Sequence, residues 1–300
     1  MHGNQVTLDG VIVVDKPEGW TSHDVVNKLR RLAGTKKVGH LGTLDPIATG
    51  VLPVVIGRAT RLAQFFTRND KVYEGLVRFG YSTGTYDRAG APTSPETEPQ
   101  LDAARIEPVL NHFRGPFLQT PPPVSAKKVG GVPAYKLTRR QNPPELAPVA
   151  VEVYELALLG VEGAEARLRC HCSAGTYLRA IAHELGEELG CGAHLKDLRR
   201  TASGDFSIDR SHTVPALEEM AAAGRLGEAL IPAAQLLPDF ASQFVDDITE
   251  GRIRQGRDFP VSPYRQNRAS RYVKAVSRAG DLIAIGEMKL PNICHPIVVL

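Results

Sequence analysis

The sequence predicts an α+β fold with a smaller β-rich part at its C-terminal end. Three observations carry this expectation. Lys71–Phe79 (KVYEGLVRF) alternates at period two, and Val149–Leu159 and Ala164–Ser173 read as the two strands of a hairpin. Capped amphipathic stretches with a period near 3.6 lie between the strand-like runs. The residues after Phe240 carry short strand-like runs at Arg271–Val276, Leu282–Glu287 and Ile297–Leu300. An apolar fraction of 42% with 23% charged residues is the composition of a chain that can fill a core.

Taken in order, Gly10–Asp15 (GVIVVD) is an apolar run suited to a buried strand, closed by a turn at Lys16-Pro17-Glu18-Gly19. Thr21-Ser22-His23-Asp24 is a capping box. It opens a helix with the stripe Val25, Val26, Leu29, Leu32 and Ala33, stopped by Gly34. The stretch Gly39–Leu52 (GHLGTLDPIATGVL) has three glycines and a single carboxylate, Asp45, before a proline. A residue before proline is driven out of the helical region, so Asp45 belongs on a tight loop flanked by apolar anchors. It reads either as a nucleophile or base or as a turn aspartate bonding its own backbone, and the stretch taken alone favours the turn. Leu52–Ile56 reads as a strand and Ala59–Phe66 as a short helix.

On Lys71–Phe79 the alternation places Tyr73, Gly75, Val77 and Phe79 on one apolar face, where the Tyr73 hydroxyl needs a partner. Gly84–Pro99 reads as a surface loop and Leu101–Asn111 as a helix. Gln119–Pro148 is a long proline-rich and basic loop, with Lys127, Lys128 and Tyr135 suited to an RNA backbone and its bases. Gly175–Arg179 opens a helix with the stripe Ile181, Ala182, Leu185 and Leu189, ended by Gly190. Arg179 falls in the first turn, where the helix dipole disfavours a cation, unless a carboxylate holds it. Leu195–Arg200 adds basic charge, Gly204–Ile208 is a further candidate strand, and Ser211–Leu230 an Ala-rich helical connection.

Charge and cysteine content narrow the function classes. The whole chain is only +3, yet Gly251–Gly280 alone is net +7, and Gln119–Arg140 holds five basic residues and no acid. Clustered Lys and Arg of this kind suit a polyanion. Four cysteines, no apolar leader and no membrane-length apolar run fit a reduced, cytoplasmic protein. Cys170-His171-Cys172 lacks the second ligand pair of a closed zinc site, and no metal or cofactor is expected.

Six motifs in order resemble one family. They are Asp15-Lys16-Pro17 with Gly19-Trp20-Thr21-Ser22; the block Gly39–Pro53; Lys71-Val72-Tyr73; Gln119-Thr120-Pro121-Pro122 with Ser125-Ala126 and Lys128; Gly175–Arg179; and Gly192–Leu195 with Leu198–Thr201. The chain is similar to the TruB family of tRNA pseudouridine synthases over about Gly10–Asp209. The resemblance implies a pseudouridine synthase fold: a mixed, mostly antiparallel central sheet flanked by helices over 1–235, with a basic thumb insert near 119–148. Residues 240–300 are more distantly similar to a PUA domain, a small RNA-binding barrel.

The implied activity is isomerisation of uridine to pseudouridine at position 55 in the T-loop of tRNA, by base flipping. The partner is the tRNA T-arm, with no membrane, no cofactor and no obligatory protein partner, and the chain acts as a monomer. Asp45 corresponds to the essential aspartate, Tyr73 to the tyrosine lying against the base, and Arg179 to the arginine paired with the aspartate, in bidentate fashion. His40 corresponds to the histidine that holds the loop once bases are flipped. Lys16, Pro17, Tyr177 and Leu198 line the cleft. Lys128, Arg252 and Arg254 stand in the basic segments that meet RNA. Val124 and Gly84 depart from the family pattern, which bears on the thumb and one loop. Asp45 attacks ribose C1′, removes a nearby proton to give a glycal, or adds to uracil C6; the residues do not choose among the three. The rival readings are a guide-RNA-dependent relative, against which the short N-terminus and the thumb argue; a non-catalytic RNA-binding or RNA-folding protein; and a glycosidase built on Asp15 and Asp45.

Overall fold

Apart from one short two-stranded pair, the strand-forming runs of the first 232 residues end up side by side in one sheet. The computed structural model describes residues 8–125, 146–262 and 270–300, together with the backbone of two short strands at 128–129 and 132–133. In chain order the elements are β1 (Gly10–Lys16), α1 (Ser22–Leu32), β2 (Val38–His40), β3 (Ala48–Ile56), a 3-10 helix (Gly57–Phe66), β4 (Lys71–Phe79), α2 (Ala103–Leu110) and β5 (Gly115–Gln119). The short strands β6 (Lys128–Val129) and β7 (Val132–Pro133) follow, then β8 (Val149–Glu162), β9 (Glu165–Cys172), α3 (Leu178–Glu188) and β10 (Ala193–Ser203). After these come β11 (Phe206–Ser207), β12 (His212–Thr213), α4 (Val214–Ala222) and β13 (Ile231–Pro232). The sheet runs β12-β1-β3-β10-β4-β9-β8-β5. Its pairings are antiparallel except β1 with β12 and β3 with β10 along this path, which is the mixed, mostly antiparallel arrangement expected.

β1 shows why its sequence is a continuous apolar run. Ile12 and Val14 face a core closed by α1, α2, α3 and α4, while Val11 and Val13 face a second core on the other side of the sheet. Both faces are covered along Val11–Val14, which is why that part of the strand is apolar throughout. α1 starts on the predicted capping box at Thr21, with the Thr21 hydroxyl accepting from Asp24 N at 3.1 Å and the Asp24 carboxylate from Thr21 N at 2.8 Å. Gly34 ends it in the left-handed region.

Three elements differ from the sequence reading. The strand after the Asp45 loop starts at Ala48, four residues earlier than expected, which shortens the loop. Ser211–Leu230 is only partly helical: α4 ends at Ala222 and Gly224 turns the chain at positive φ. The largest difference is β10. Residues 195–200 are the centre of an 11-residue strand at the middle of the sheet, between β3 and β4. Irregularities in the register between Leu195 and Asp197 and between Arg200 and Ala202 break the period-two signal that would have revealed it.

The C-terminal part forms its own five-stranded sheet, in the order β14 (Ala241–Phe244), β16 (Tyr272–Val276), β17 (Leu282–Leu290), β18 (Ile293–Val299) and β15 (Phe259–Pro260), with helix α5 (Asp247–Arg254) against it. It has a small core of its own around Ile253, Phe259 and Ile283. Val276, Leu282, Ile285 and Leu300 reach instead into the second core, against Val51, Val55 and Leu62. The buried Lys274 ammonium donates to the carbonyls of Ala234 (3.1 Å) and Leu236 (2.9 Å), pinning the connecting segment.

Gly50 marks where β3 meets β10. Its φ is +96°, and a Cβ there would lie 2.2 Å from the Arg200 carbonyl oxygen. Gly34, also left-handed at φ +62°, faces open space. Gly50→Ala should therefore cost well over about 2 kcal/mol of stability, and Gly34→Ala about 1–2 kcal/mol, in urea unfolding. Equal losses at the two positions would show that β3 and β10 are not held this closely.

Candidate active site

The site forms where β3, β4 and β10 meet the N-terminus of α3. Register does the gathering: Arg200 pairs with both Gly50 and Tyr73, and Leu198 with both Ala48 and Gly75. The loop leading into β3 and the start of α3 complete a cavity of about 280 Å³, lined among others by Asp45, Lys71, Tyr73, Tyr177, Leu198 and Arg200.

The Asp45 loop is held carbonyl by carbonyl. Arg200, fully buried, donates from Nε to Val51 O (2.7 Å), from Nη2 to Gly42 O (3.1 Å) and from Nη1 to Thr43 O (3.5 Å). Leu44 N donates to the Ser22 hydroxyl at 2.8 Å, and that hydroxyl donates back to Leu44 O at 3.1 Å. Lys16, also fully buried, donates to Trp20 O (2.6 Å), Pro17 O (2.9 Å) and Pro46 O (3.4 Å). Leu41 and Leu44 anchor the loop's apolar side, as expected, in the two separate cores. Asp45 is left between these fixed points with its side chain 36% exposed toward the cavity.

Arg179 lies in the first turn of α3 with its side chain only 4% exposed. Its Nε is 2.9 Å from Asp45 Oδ2, an ion pair at close range rather than an aligned hydrogen bond. The expected bidentate pairing is replaced by a shared one. Nη1 donates to Thr85 O at 3.0 Å and sits 3.7 Å from Asp87 Oδ2. Both acceptors come from the stretch read as a plain surface loop, in which Asp87 is buried. The guanidinium thus balances a cation in an unfavourable helix position against two carboxylates and a carbonyl.

Tyr73 is buried in the cavity wall beside Arg200. Burial pushes its hydroxyl above the usual tyrosine range, the Arg200 guanidinium opposing this. Tyr177 caps α3, its backbone clamped by the buried Gln119 amide: Tyr177 N donates to Gln119 Oε1 at 2.8 Å and Gln119 Nε2 to Tyr177 O at 3.1 Å. This ties the strand that leads into the basic insert to the site.

Other sequence-selected residues stand elsewhere. Lys16 lies beneath the loop rather than on the cavity surface, and Pro17 follows it outside the lining. His40, on β2, is also outside the lining; burial lowers its pKa, with Arg200 and His23 acting the same way. Lys128 has only its backbone among the described residues. Arg252 and Arg254 lie on the last turn of α5 in the C-terminal part. Arg254 donates to Glu250 (2.9 Å) and Leu300 O (2.8 Å), so it carries a local structural load. Asp15 is taken up by Arg199, which donates to its two oxygens at 2.8 and 3.1 Å, so it does not face Asp45 as a second catalytic carboxylate. Sequence reading missed Arg200, Asp87, Lys71 and Gln119. The alternation on β4 that selected Tyr73 also selects Lys71, two residues earlier on the same face; Gln119 and Arg200 stand inside the ordered motifs, and Asp87 had no local signal.

Two family models match the chain: "TruB family pseudouridylate synthase (N terminal domain)" over residues 30–178 and "tRNA pseudouridylate synthase B C-terminal domain" over residues 179–237. Asp45, Tyr73 and Asp87 fall in the first and Arg179 opens the second. The chain is 66% identical to tRNA pseudouridine synthase B of Solibacter usitatus over 293 residues, covering 98% of this chain and 100% of that protein. It is 37% identical to tRNA pseudouridine synthase B of Aquifex aeolicus, over 94% of this chain and 96% of that one. Among solved structures, a chain of a Cbf5-Nop10-Gar1 complex superposes with a TM-score of 0.70 at 26% identity, covering 95% of this chain and 80% of its own.

Two outcomes follow from the geometry. Arg179→Lys supplies one point charge where the fork serves three acceptors, and should lower turnover at least about a hundredfold without unfolding the protein; near-normal turnover would break the assignment. Burial lowers the Lys16 pKa from 10.5 to about 8. The unfolded chain then holds the extra proton between those values, so this group's unfavourable contribution is fully present below pH 8 and fades as pH rises toward 10.5. The unfolding free energy of the native protein minus that of Lys16→Met should therefore rise from pH 8 to 10, measured by urea unfolding; a signed difference that stays constant or falls would show that Lys16 is not desolvated.

Proposed function

The chain belongs to the TruB family of pseudouridylate synthases, and from that premise we propose that it isomerises uridine to pseudouridine in tRNA, at position 55 of the T-loop, with Asp45 as the essential carboxylate. The observation that carries this reading is a partly exposed carboxylate on an immobilised loop, aimed by Arg179 into a cavity sized for one nucleoside rather than for duplex. Pseudouridine formation breaks the bond from ribose C1′ to uracil N1, turns the base and rejoins C1′ to C5, with loss of the C5 proton and gain of a proton at N1. No electrons are gained or lost overall.

A uridine inside folded RNA must first leave its stack, at a cost of about a few kcal/mol. Tyr73, Leu198 and Tyr177 supply apolar and aromatic walls that offset it. Asp45 then meets the extruded nucleoside, and its pairing with Arg179 sets the direction from which the carboxylate approaches. Tyr73 enters the reaction protonated, because burial disfavours its phenolate. It is nonetheless the side chain placed to take the C5 proton at the end, with Arg200 alongside to stabilise the charge that forms.

We further propose that the protein works in the cytoplasm as a monomer on bare tRNA, without a guide RNA or protein partner. No helix among the described residues is long and apolar enough to cross a membrane. The 66% identity to a protein named for tRNA, against 26% to the Cbf5 complex chain, favours this over the guide-dependent reading. The C-terminal part, a PUA-like domain over 240–300, and the basic insert would take the phosphates.

Incubation of the purified protein with an unmodified tRNA transcript should place pseudouridine at the T-loop uridine. Asp45→Asn should bind the same transcript within about twofold and modify none of it. Modification by Asp45→Asn would overturn the assignment, and modification only after adding a guide RNA would point to the rival reading. Arg252→Ala with Arg257→Ala should weaken tRNA binding and flatten the slope of log K against log salt by about two. Arg254→Ala should flatten it less, because that side chain is already engaged. An unchanged slope in the double variant would show that the end of α5 and the exposed residues just after it do not meet phosphate.

A further inference from the structure

We infer that Tyr86 and His183 form a stacked clamp that positions the second set of Arg179 acceptors, and so act as positioning residues for Asp45; this rests on the isomerase reading above. Tyr86 stands between the two residues that share Arg179 Nη1: Thr85 through its carbonyl and Asp87 through its carboxylate. It holds φ +63°, one of three non-glycine residues in the left-handed region among the described residues. An aromatic residue takes that conformation only where its surroundings hold it.

The surroundings are specific. The Tyr86 ring lies flat on the His183 ring, centroids 3.8 Å apart and planes 8° apart. His183 is one turn along α3 from Arg179, on the same side of the helix. The same helix therefore carries both the guanidinium and the platform for the turn that binds it. The turn is further bolted to β10, with Leu195 N donating to Tyr86 O and Arg88 N to Leu195 O, both at 3.0 Å. Within the turn, Asp87 Oδ1 accepts from the Thr85 hydroxyl at 2.5 Å and from Ala89 N at 3.0 Å. That leaves Oδ2 for Arg179. Neither Tyr86 nor His183 lines the cavity, so neither touches the reacting nucleoside. Without the stack, the left-handed turn has less to hold it, Thr85 O and Asp87 drift, and Arg179 loses the brace that fixes its angle to Asp45.

The test is steady-state modification of a tRNA transcript by single variants, with thermal unfolding as the folding control. Tyr86→Ala and His183→Ala should each lower kcat about ten- to a hundredfold, the size of effect that small misplacements produce, with KM for tRNA within about twofold. Tyr86→Phe and His183→Phe keep the stack and should stay within about threefold of wild type. Tyr86→Gly accepts the turn's backbone but has no ring, and should behave like Tyr86→Ala. In an Asp87→Asn background, Tyr86→Ala should add less than about threefold, because its route to Arg179 is already cut.

A wild-type kcat in Tyr86→Ala or Tyr86→Gly would overturn the clamp. So would a loss confined to KM, a Tyr86→Phe as impaired as Tyr86→Ala, or a full further loss on top of Asp87→Asn. Each of those leaves the isomerase reading standing, whereas a wild-type protein inert on tRNA would remove that reading first.

Discussion

Arg200 is the interaction on which the site depends. Its guanidinium, sealed from solvent, pairs with no carboxylate among the described residues; its partners there are the carbonyls of Gly42, Thr43 and Val51. A buried cation solvated by backbone dipoles is costly to assemble and hard to replace, since its loss would orphan those carbonyls at about 1–3 kcal/mol each. The return is geometric. The loop before β3 has almost no regular structure of its own, and Arg200 from one side with Lys16 from the other give it the rigidity of a strand. Asp45 rides on that loop with little freedom to swing.

The second constraint is electrostatic. Arg179 occupies the wrong end of a helix dipole and is buried there, and it is stable because two carboxylates and a carbonyl converge on it. Sharing changes what the arginine can do. A guanidinium bonded in bidentate fashion to Asp45 would cover both oxygens of the proposed reactive group. Held by Nε alone, with Nη1 occupied by Thr85 and Asp87, it steers the carboxylate and leaves it a face toward the cavity. The same division makes Asp87 and its turn part of the site although they lie outside its walls.

The architecture separates chemistry from affinity. The cavity is small and its charged groups are tied to one another or to backbone carbonyls, so it offers little to a long polyanion. In the sequence, basic residues concentrate on 251–280 and on the insert after Gln119. The Gln119 amide, clamped to the backbone at Tyr177, is the described link between that insert and the helix carrying Arg179. The C-terminal sheet shares the second core with β1 and β3 through Val276, Leu282 and Leu300, so it is packed onto the rear of the sheet.

Where a signal was local, it was legible in the residues. The capping box of α1, the alternation of β4 with Tyr73 facing inward, the glycine stops after α1 and α3, and the unfavourable position of Arg179 all follow from neighbours within one turn or one strand. The ordered motifs added the family and its fold. What only the tertiary structure decided was every relation across the sheet: that Leu195–Arg200 is a central strand, that Arg200 is an internal cation, that Lys16 lies under the loop, and that Asp87 in a loop 92 residues upstream is the second partner of Arg179. The physical reason is that the role of a charged side chain is set by what surrounds it after folding, and strands that are neighbours in a sheet leave no mark of that adjacency in their own periodicity.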